Sequence, residues 1–368
     1  MPGDSLVGDL LARAAEASEC EANFMYRALE LAERGLGHTR PNPAVGAVIV
    51  KDGKILGEGW HKKAGGDHAE VAAIKGAMKF LSAGGKSGVP DKGALKGATI
   101  YVTLEPCSKA GRVGACTDAI AASGISKVVY AIPDPNPDNC GKAKRALARA
   151  GVQCERFKGD KEVIREADEL ICHFRKHVLT GLPYVIVKIA MSVDGRICDN
   201  WGDAKWISSK SSRELTGGDL RGKVDAVIVG AETIRRDNPS LLSKGRPNPD
   251  LVRVVVSKSG RLPKAARVFS DGAPNRTIVF DDARKAIEEL GRRGALSVLC
   301  EGGLKLARSL ADAGLVDQWV NVFAPILIGS RPIAKAVRGK FNEERSFANG
   351  GDRFLTADFG AWATGFGD

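Results

Sequence analysis

A chain of 368 residues is long enough for two domains, each with a buried core of its own. Hydrophobic residues make up 43% and charged residues 27%, a balance that excludes long disorder, and no run approaches the roughly 20 apolar residues of a spanning helix. The formal charge of +11 admits nucleic acid or a phosphorylated small molecule, but the tightest basic group (Lys142, Lys144, Arg145, Arg149) has the spacing of a solvated helix face.

The first 20 residues set Asp4, Asp9, Glu16 and Glu19 against Arg13 alone, without a secretion signal's basic start and apolar centre. A cytoplasmic protein with no membrane segment is expected. Eight cysteines spread from Cys20 to Cys300 make no disulfide framework and read mostly as reduced packing residues.

In chain order, residues 23–35 carry Met25, Ala28, Leu29 and Leu31 at helical spacing, with Gly35 as a stop. AVGAVIV at 44–50 reads as a strand, and Asp52-Gly53 as the hairpin turn into a second strand at 54–58. A helix from 68, a buried strand from 98, a short helix from 116 and a strand from 127 give an alternating α/β pattern. Turn-rich DPNPDNCG at 134–141 leads to a helix and a strand near 152–155, and a charged helix at 162–177 carries the chain to a boundary between 160 and 182. Beyond Pro183, strands are expected at 184–192 and near 225–230, 252–257, 276–280, 297–300 and 319–327, with a helix from 304. No internal repeat or low-complexity segment is visible, and the glycine-rich tail beyond 340 shows no role.

The chemistry sits on two short motifs. His68-Ala69-Glu70 opens a helix, and Glu105-Pro106-Cys107 follows a strand, with Cys116 separated from Cys107 by eight residues and placed at another helix start. One nitrogen and two sulfur ligands leave a zinc ion an open position for water, and a carboxylate that is not a ligand can then move the proton; H-x-E followed by P-C-x-x-C is the known deaminase pattern. Alone, each cysteine reads as a core thiol and His68 as a polar residue at a helix start. Together, in this order and on these elements, they read as a metal site with Glu70 as its proton carrier. A structural zinc site would want a fourth protein ligand, and His61 is the only close candidate.

The stretches 39–70 (TRPNPAVGAVIVKDGKILGEGWHKKAGGDHAE) and 103–116 (TLEPCSKAGRVGAC) resemble the deaminase half of the bifunctional riboflavin-biosynthesis deaminase-reductases, which share the long cysteine spacing. KIAMSVDGRI, KWISS, DAVIVGAETIRRDNPSL, LCEGGLKLARSL and LVDQWVNVFAPILIG resemble their reductase half. The resemblance implies a cytidine-deaminase-like α/β/α domain at 23–165 after an extension at 1–22, then a dihydrofolate-reductase-like α/β domain at 180–368. It also implies zinc and NADPH as cofactors, a phosphorylated pyrimidine as substrate, no nucleic acid, and a homo-oligomer.

Carried over position by position, Asn42 and His61 would contact the pyrimidine, and Arg112 its phosphate. Lys109, counted with the substrate contacts, stands where the family usually has His; its ammonium could meet a phosphate but cannot serve as a neutral acceptor. In the second half Asp237 would lie between cofactor and substrate as the catalytic carboxylate. Lys188, Ser208, Arg221, Leu241, Lys244 and Glu301 would contact substrate; Ala190, Trp206, Ile207, Thr233, Gly302 and Gly303 would bind NADPH alongside Asp237. Ala204 replaces a usual Ser and Lys244 a usual Arg. Glu232 replaces a usual Gly and would repel cofactor phosphates if it faced them. No G-x-G-x-x-G fingerprint is present, so the nicotinamide cofactor follows from the resemblance alone.

Two alternatives stand beside this reading. An RNA base deaminase with a basic second domain would need aromatic residues for base stacking, and these are 6% of the chain with no basic-aromatic interleaving. The other is a working deaminase joined to an inactive reductase half.

Overall fold

Apolar strands and amphipathic helices alternate along both halves, and each half buries its strands in a sheet of its own. The computed structural model describes residues 21–84, 93–109, 114–199, 207–328, 343–349 and 352–358. The chain divides into two units between Leu179 and Thr180.

In the first unit α1 (Glu21–Glu33) precedes the hairpin β1 (Gly46–Lys51) and β2 (Lys54–Trp60), whose Asp52-Gly53 turn takes positive φ at both positions (51° and 72°) as a tight hairpin requires. Then follow α2 (Ala69–Gly84), β3 (Thr99–Leu104), α3 (Cys116–Ser123), β4 (Lys127–Ile132), α4 (Ala143–Arg149) and β5 (Gln153–Arg156). The strands pair in the order β2-β1-β3-β4-β5, antiparallel about β1 and parallel from β3 to β5. The expected charged helix is two helices, α5 (Lys161–Leu170) and α6 (Cys172–Thr180), which break at Ile171. Helices α1 and α5 pack together on one face and α2, α3 and α4 on the other, giving three layers.

Small residues set the position of α2. A side chain at Gly59 would meet the Ala73 nitrogen at 2.3 Å and the Ala69 carbonyl at 2.5 Å, and one at Gly57 the Ala73 carbonyl at 2.4 Å. The alanines at 69, 73 and 77 form one stripe of the helix, so β2 and α2 approach until backbone meets backbone. This contact fixes the start of α2, where His68 and Glu70 sit.

The second unit begins with β6 (Tyr184–Ser192). α7 (Lys210–Glu214) runs through a π-helical turn (Leu215–Leu220), and β7 (Ala226–Gly230), α8 (Ala231–Asp237), β8 (Val252–Val256) and β9 (Thr277–Phe280) follow. The order continues with α9 (Ala283–Arg292), β10 (Ser297–Cys300), α10 (Leu304–Asp312) and β11 (Gln318–Ala324). The tail beyond 340 holds two more strands, β12 (Glu343–Asn349) and β13 (Asp352–Asp358), which pair with each other and add β13 to β11. The sheet order is β12-β13-β11-β6-β10-β7-β8-β9. Strands β11 to β9 run parallel, and their apolar runs are buried under α9 and α10. The chain leaves β6 to one side for β7, β8 and β9, returns through β10, and crosses to β11 on the other side. A crevice beyond the carboxyl ends of the strands is expected at such a reversal.

Candidate functional site

In the first unit His68 precedes the first residue of α2, and its carbonyl accepts from the Ala72 N–H at 2.9 Å. Cys116 is the first residue of α3, and Cys107 lies just after β3. The candidate ligand atoms of His68, Cys107 and Cys116 all lie within 4.8 Å of one another. His68 Nδ1 faces both sulfurs, at 3.2 Å from Cys116 Sγ and 3.6 Å from Cys107 Sγ. The Cys116 N–H donates to Cys107 Sγ at 3.3 Å, so the start of α3 supports a thiolate.

Charge is shared tightly here. The hydrogen bond from the Cys116 thiol, with help from His68, pulls Cys107 down to about 4, and the same bond pushes Cys116 well above the ordinary thiol range. The Cys107 contact raises His68 against the effect of burial. Two hydrogen-bonded sulfurs beside an imidazole form a soft donor set that a dication such as zinc would satisfy. Glu70, 4% exposed, is raised first by burial and then by the charge on Cys107. A buried carboxyl with a raised pKa can hold and release a proton near neutrality.

A cavity of about 550 Å³ opens on this cluster, lined by Asn42, His61, His68, Glu70 and Cys107 among others. Asn42 Nδ2 and His61 Nε2 lie 3.1 Å apart, and His61 Nδ1 is 2.9 Å from the Asp67 carbonyl. A carbonyl only accepts, so Nδ1 carries the proton. Burial lowers the pKa of His61 and keeps the ring neutral, so Nε2 accepts from Asn42. His61 is thus committed to Asn42 and Asp67 and is no fourth ligand. Lys109 is not brought into the cavity; it pairs with Asp138 at 3.0 Å, both largely exposed. Arg112 lies outside the described residues.

Two features of this site were not read from the sequence. Glu105, 2% exposed, accepts from the backbone N–H groups of Gly141 (3.0 Å), Ala143 (3.1 Å) and Asp134 (3.3 Å) and so ties the 134–143 loop to the Cys107 motif. Asp134 accepts from Asn139 Nδ2 at 2.8 Å, and Asn139 Oδ1 accepts from the Ser108 N–H at 2.7 Å. The Asp and Asn content of that loop was the available signal. The second feature is the wall formed by Phe174, His177 and Val178 of α6, beyond residue 165.

The second unit holds a cavity of about 930 Å³ at the carboxyl ends of β6, β7 and β10. Lys188, Ser208, Arg221, Leu241, Lys244 and Glu301 all line it. So do Ala190, Ile207, Thr233, Asp237, Gly302 and Gly303. Trp206 and Ala204 lie outside the described residues. Arg221 grips Glu301 through two nitrogens and donates to the Leu242 carbonyl at 3.2 Å. Glu232 points elsewhere: it pairs with Arg235 and Arg236 on the exposed side of α8, 61% exposed, so it does not confront a cofactor in the cavity.

Leu241 reaches this cavity in a left-handed backbone conformation (φ 60°), which a branched side chain adopts only when its surroundings impose it. Arg253, wholly buried in the apolar strand β8, supplies the restraint. It donates to the Ser240 carbonyl at 2.7 Å, pairs with Asp271 at 2.6 Å and donates to the Ala273 carbonyl. A lone arginine in VRVVV was the signal that could have found it.

A model of the cytidine and deoxycytidylate deaminase zinc-binding region matches residues 18–132, and one of the RibD C-terminal domain matches 183–343. The riboflavin biosynthesis protein RibD of Bacillus amyloliquefaciens is 36% identical over 350 residues, 87% of this chain and 88% of its own. That of Escherichia coli (strain K12) is 34% identical over 342 residues, covering 83% and 88%. A solved RibD structure from Acinetobacter baumannii matches with a TM-score of 0.77 at 32% identity, over 92% of this chain and 98% of that one. The Thermotoga maritima diaminohydroxyphosphoribosylaminopyrimidine deaminase/5-amino-6-(5-phosphoribosylamino)uracil reductase matches at 0.78 and 32%, over 91% and 97%. The expected cytidine-deaminase-like and reductase domains are borne out, and matches through both halves do not favour the RNA deaminase. The chain belongs to the RibD family of riboflavin-biosynthesis enzymes, which join a zinc-binding deaminase and a reductase in one polypeptide.

Proposed function

We propose that the two units catalyse consecutive steps. The first replaces the ring 2-amino group of diaminohydroxyphosphoribosylaminopyrimidine with oxygen and releases ammonia. The second reduces the ribosyl group of 5-amino-6-(5-phosphoribosylamino)uracil to ribityl with NADPH. The observation that carries the reading is the convergence of His68, Cys107 and Cys116 beside buried Glu70 at the floor of a cavity.

His68, Cys107 and Cys116 would hold zinc, whose Lewis acidity, when it is bound, activates a water for attack on the ring carbon. Glu70 takes a proton from that water and delivers it to the ring nitrogen, then takes the second proton from the newly added hydroxyl and gives it to the departing amino group, so that the carbon is left as a carbonyl and ammonia leaves. Its raised pKa matches a group that must accept and donate in one cycle. Asn42 and neutral His61 orient the pyrimidine.

In the second unit the start of α10 is suited to a dinucleotide phosphate. A side chain at Gly303 would project into open space, so backbone N–H groups at the helix start are accessible to an anion. NADPH held there and along Ala190, Ile207 and Thr233 would supply the hydride. Arg221, locked by Glu301, and Lys188, Ser208 and Lys244 hold the phosphorylated sugar, while Asp237 at the end of α8 orients its reacting carbon. The substrate of this reading is a small phosphorylated pyrimidine, not nucleic acid.

A coupled assay with the diaminopyrimidine phosphate, with ammonia and NADPH followed separately, tests this reading. Ammonia release followed by NADPH oxidation is expected. Ammonia without oxidation would assign only the first step, and neither signal would refute both.

A further inference from the structure

One wall of the deaminase cavity has no part in the chemistry above. It comes from α6, whose Phe174, His177 and Val178 line the cavity although they lie well past the residues (18–132) matched by the zinc-binding model. Phe174 and His177 are one helical turn apart and share a face. His177 Nδ1 is buried and has no hydrogen-bond partner among the described residues. Folded proteins rarely leave such an atom unpaired unless something else reaches it.

The other polar side chains around the cavity are largely committed. His68 faces the sulfurs, both nitrogens of His61 are engaged, Glu105 is filled by backbone N–H groups, and Asp134 accepts from Asn139. None of the described lining residues is Lys or Arg, and Lys109 is held outside by Asp138. Glu70, Glu105 and Asp134 would all oppose an anion. Arg112, expected at the phosphate, lies outside the described residues; among the described lining residues, His177 is the uncommitted side chain that can become a cation and donate to a phosphate.

We propose that His177 is a substrate-binding residue of the deaminase, donating a hydrogen bond to the phosphate on the substrate's ribosyl arm. The proposal rests on the deaminase reading above. It assigns α6 a role in selecting a phosphoribosylated pyrimidine over the unphosphorylated one. Burial holds the His177 pKa below the ordinary range in the free protein, and a phosphate beside it would raise it again.

The test measures kcat/KM for ammonia release from the phosphorylated substrate and from its dephosphorylated counterpart. It uses the full chain as wild type, His177→Ala and His177→Gln, each checked for zinc content. The wild type should prefer the phosphorylated substrate, and His177→Ala should cut that preference about tenfold, through KM, as expected for one hydrogen bond to a charged group. His177→Gln, whose amide can still donate, should recover part of it, and it decides the matter if the alanine variant loses zinc. An unchanged preference in the variants, or an equal loss on both substrates, overturns the proposal. A wild type that releases no ammonia from either substrate overturns the deaminase reading itself, and this proposal with it.

Discussion

The two units organise chemistry in opposite ways. In the first, a few side chains that strongly perturb one another converge at two helix starts, within 4.8 Å for the three candidate ligands. In the second, a dozen residues of ordinary type are spread over the ends of three strands and the loops beyond them, around a cavity of about 930 Å³. A metal site needs particular atoms at one point, so residue identity and spacing announce it. A site for two extended substrates needs a crevice, and the sheet order makes the crevice.

The largest expected effect separates the two chemistries directly. Glu70→Gln removes the proton carrier and leaves the candidate ligands in place. Ammonia release should fall roughly 10²- to 10⁴-fold, while NADPH oxidation with separately supplied deaminated intermediate stays near the wild-type rate. Loss of both activities would mean that the variant fails to fold, and persistence of ammonia release would remove Glu70 from its role.

Arg253→Met tests the opposite side. It removes a wholly buried guanidinium and leaves Asp271 and two carbonyls without their donor, which should destabilise the second unit by about 3 kcal/mol. With Leu241 no longer held, KM for the reduction should rise, while ammonia release is spared. Chemical denaturation followed by both activities checks this, and a coincident loss of the two would show that the units do not unfold separately.

The smallest effect is expected at Glu232, which the family comparison marked as a liability. Because it pairs with Arg235 and Arg236 on the exposed side of α8, Glu232→Gln should leave the denaturation midpoint of the second unit unchanged. KM for NADPH should stay within about twofold, since a surface pair of this kind contributes little. A large fall in KM would place Glu232 against the cofactor after all.

The same contrast governs what could be read from the chain beforehand. Periodicity located α3, β4 and β10 to the residue, because their apolar runs are bounded by clear turn signals. It missed the break at Ile171, where no Pro or Gly intervenes, and α7, α8 and α9, which went unread between the expected strands. The hairpin β12–β13 was missed too, although Asn349-Gly350-Gly351-Asp352 is turn-like; its alternation is weak and its pairing to β11 is long-range. At the first site the metal-type residues were legible, whereas the Glu105 tie and the α6 wall of the cavity were not, because they depend on a loop and a helix brought in from elsewhere in the chain. At the second site the residues were legible only through family likeness. Arg253 was legible through neither.

Zinc content per chain, measured on the purified wild type and on Cys116→Ser, tests the central claim most directly. The account predicts about one zinc per wild-type chain and nearly none in the variant, since a His, a Cys and a hydroxyl make a poor site for this ion. A full equivalent retained by the folded variant would contradict it, and so would a wild type that binds none when zinc is supplied.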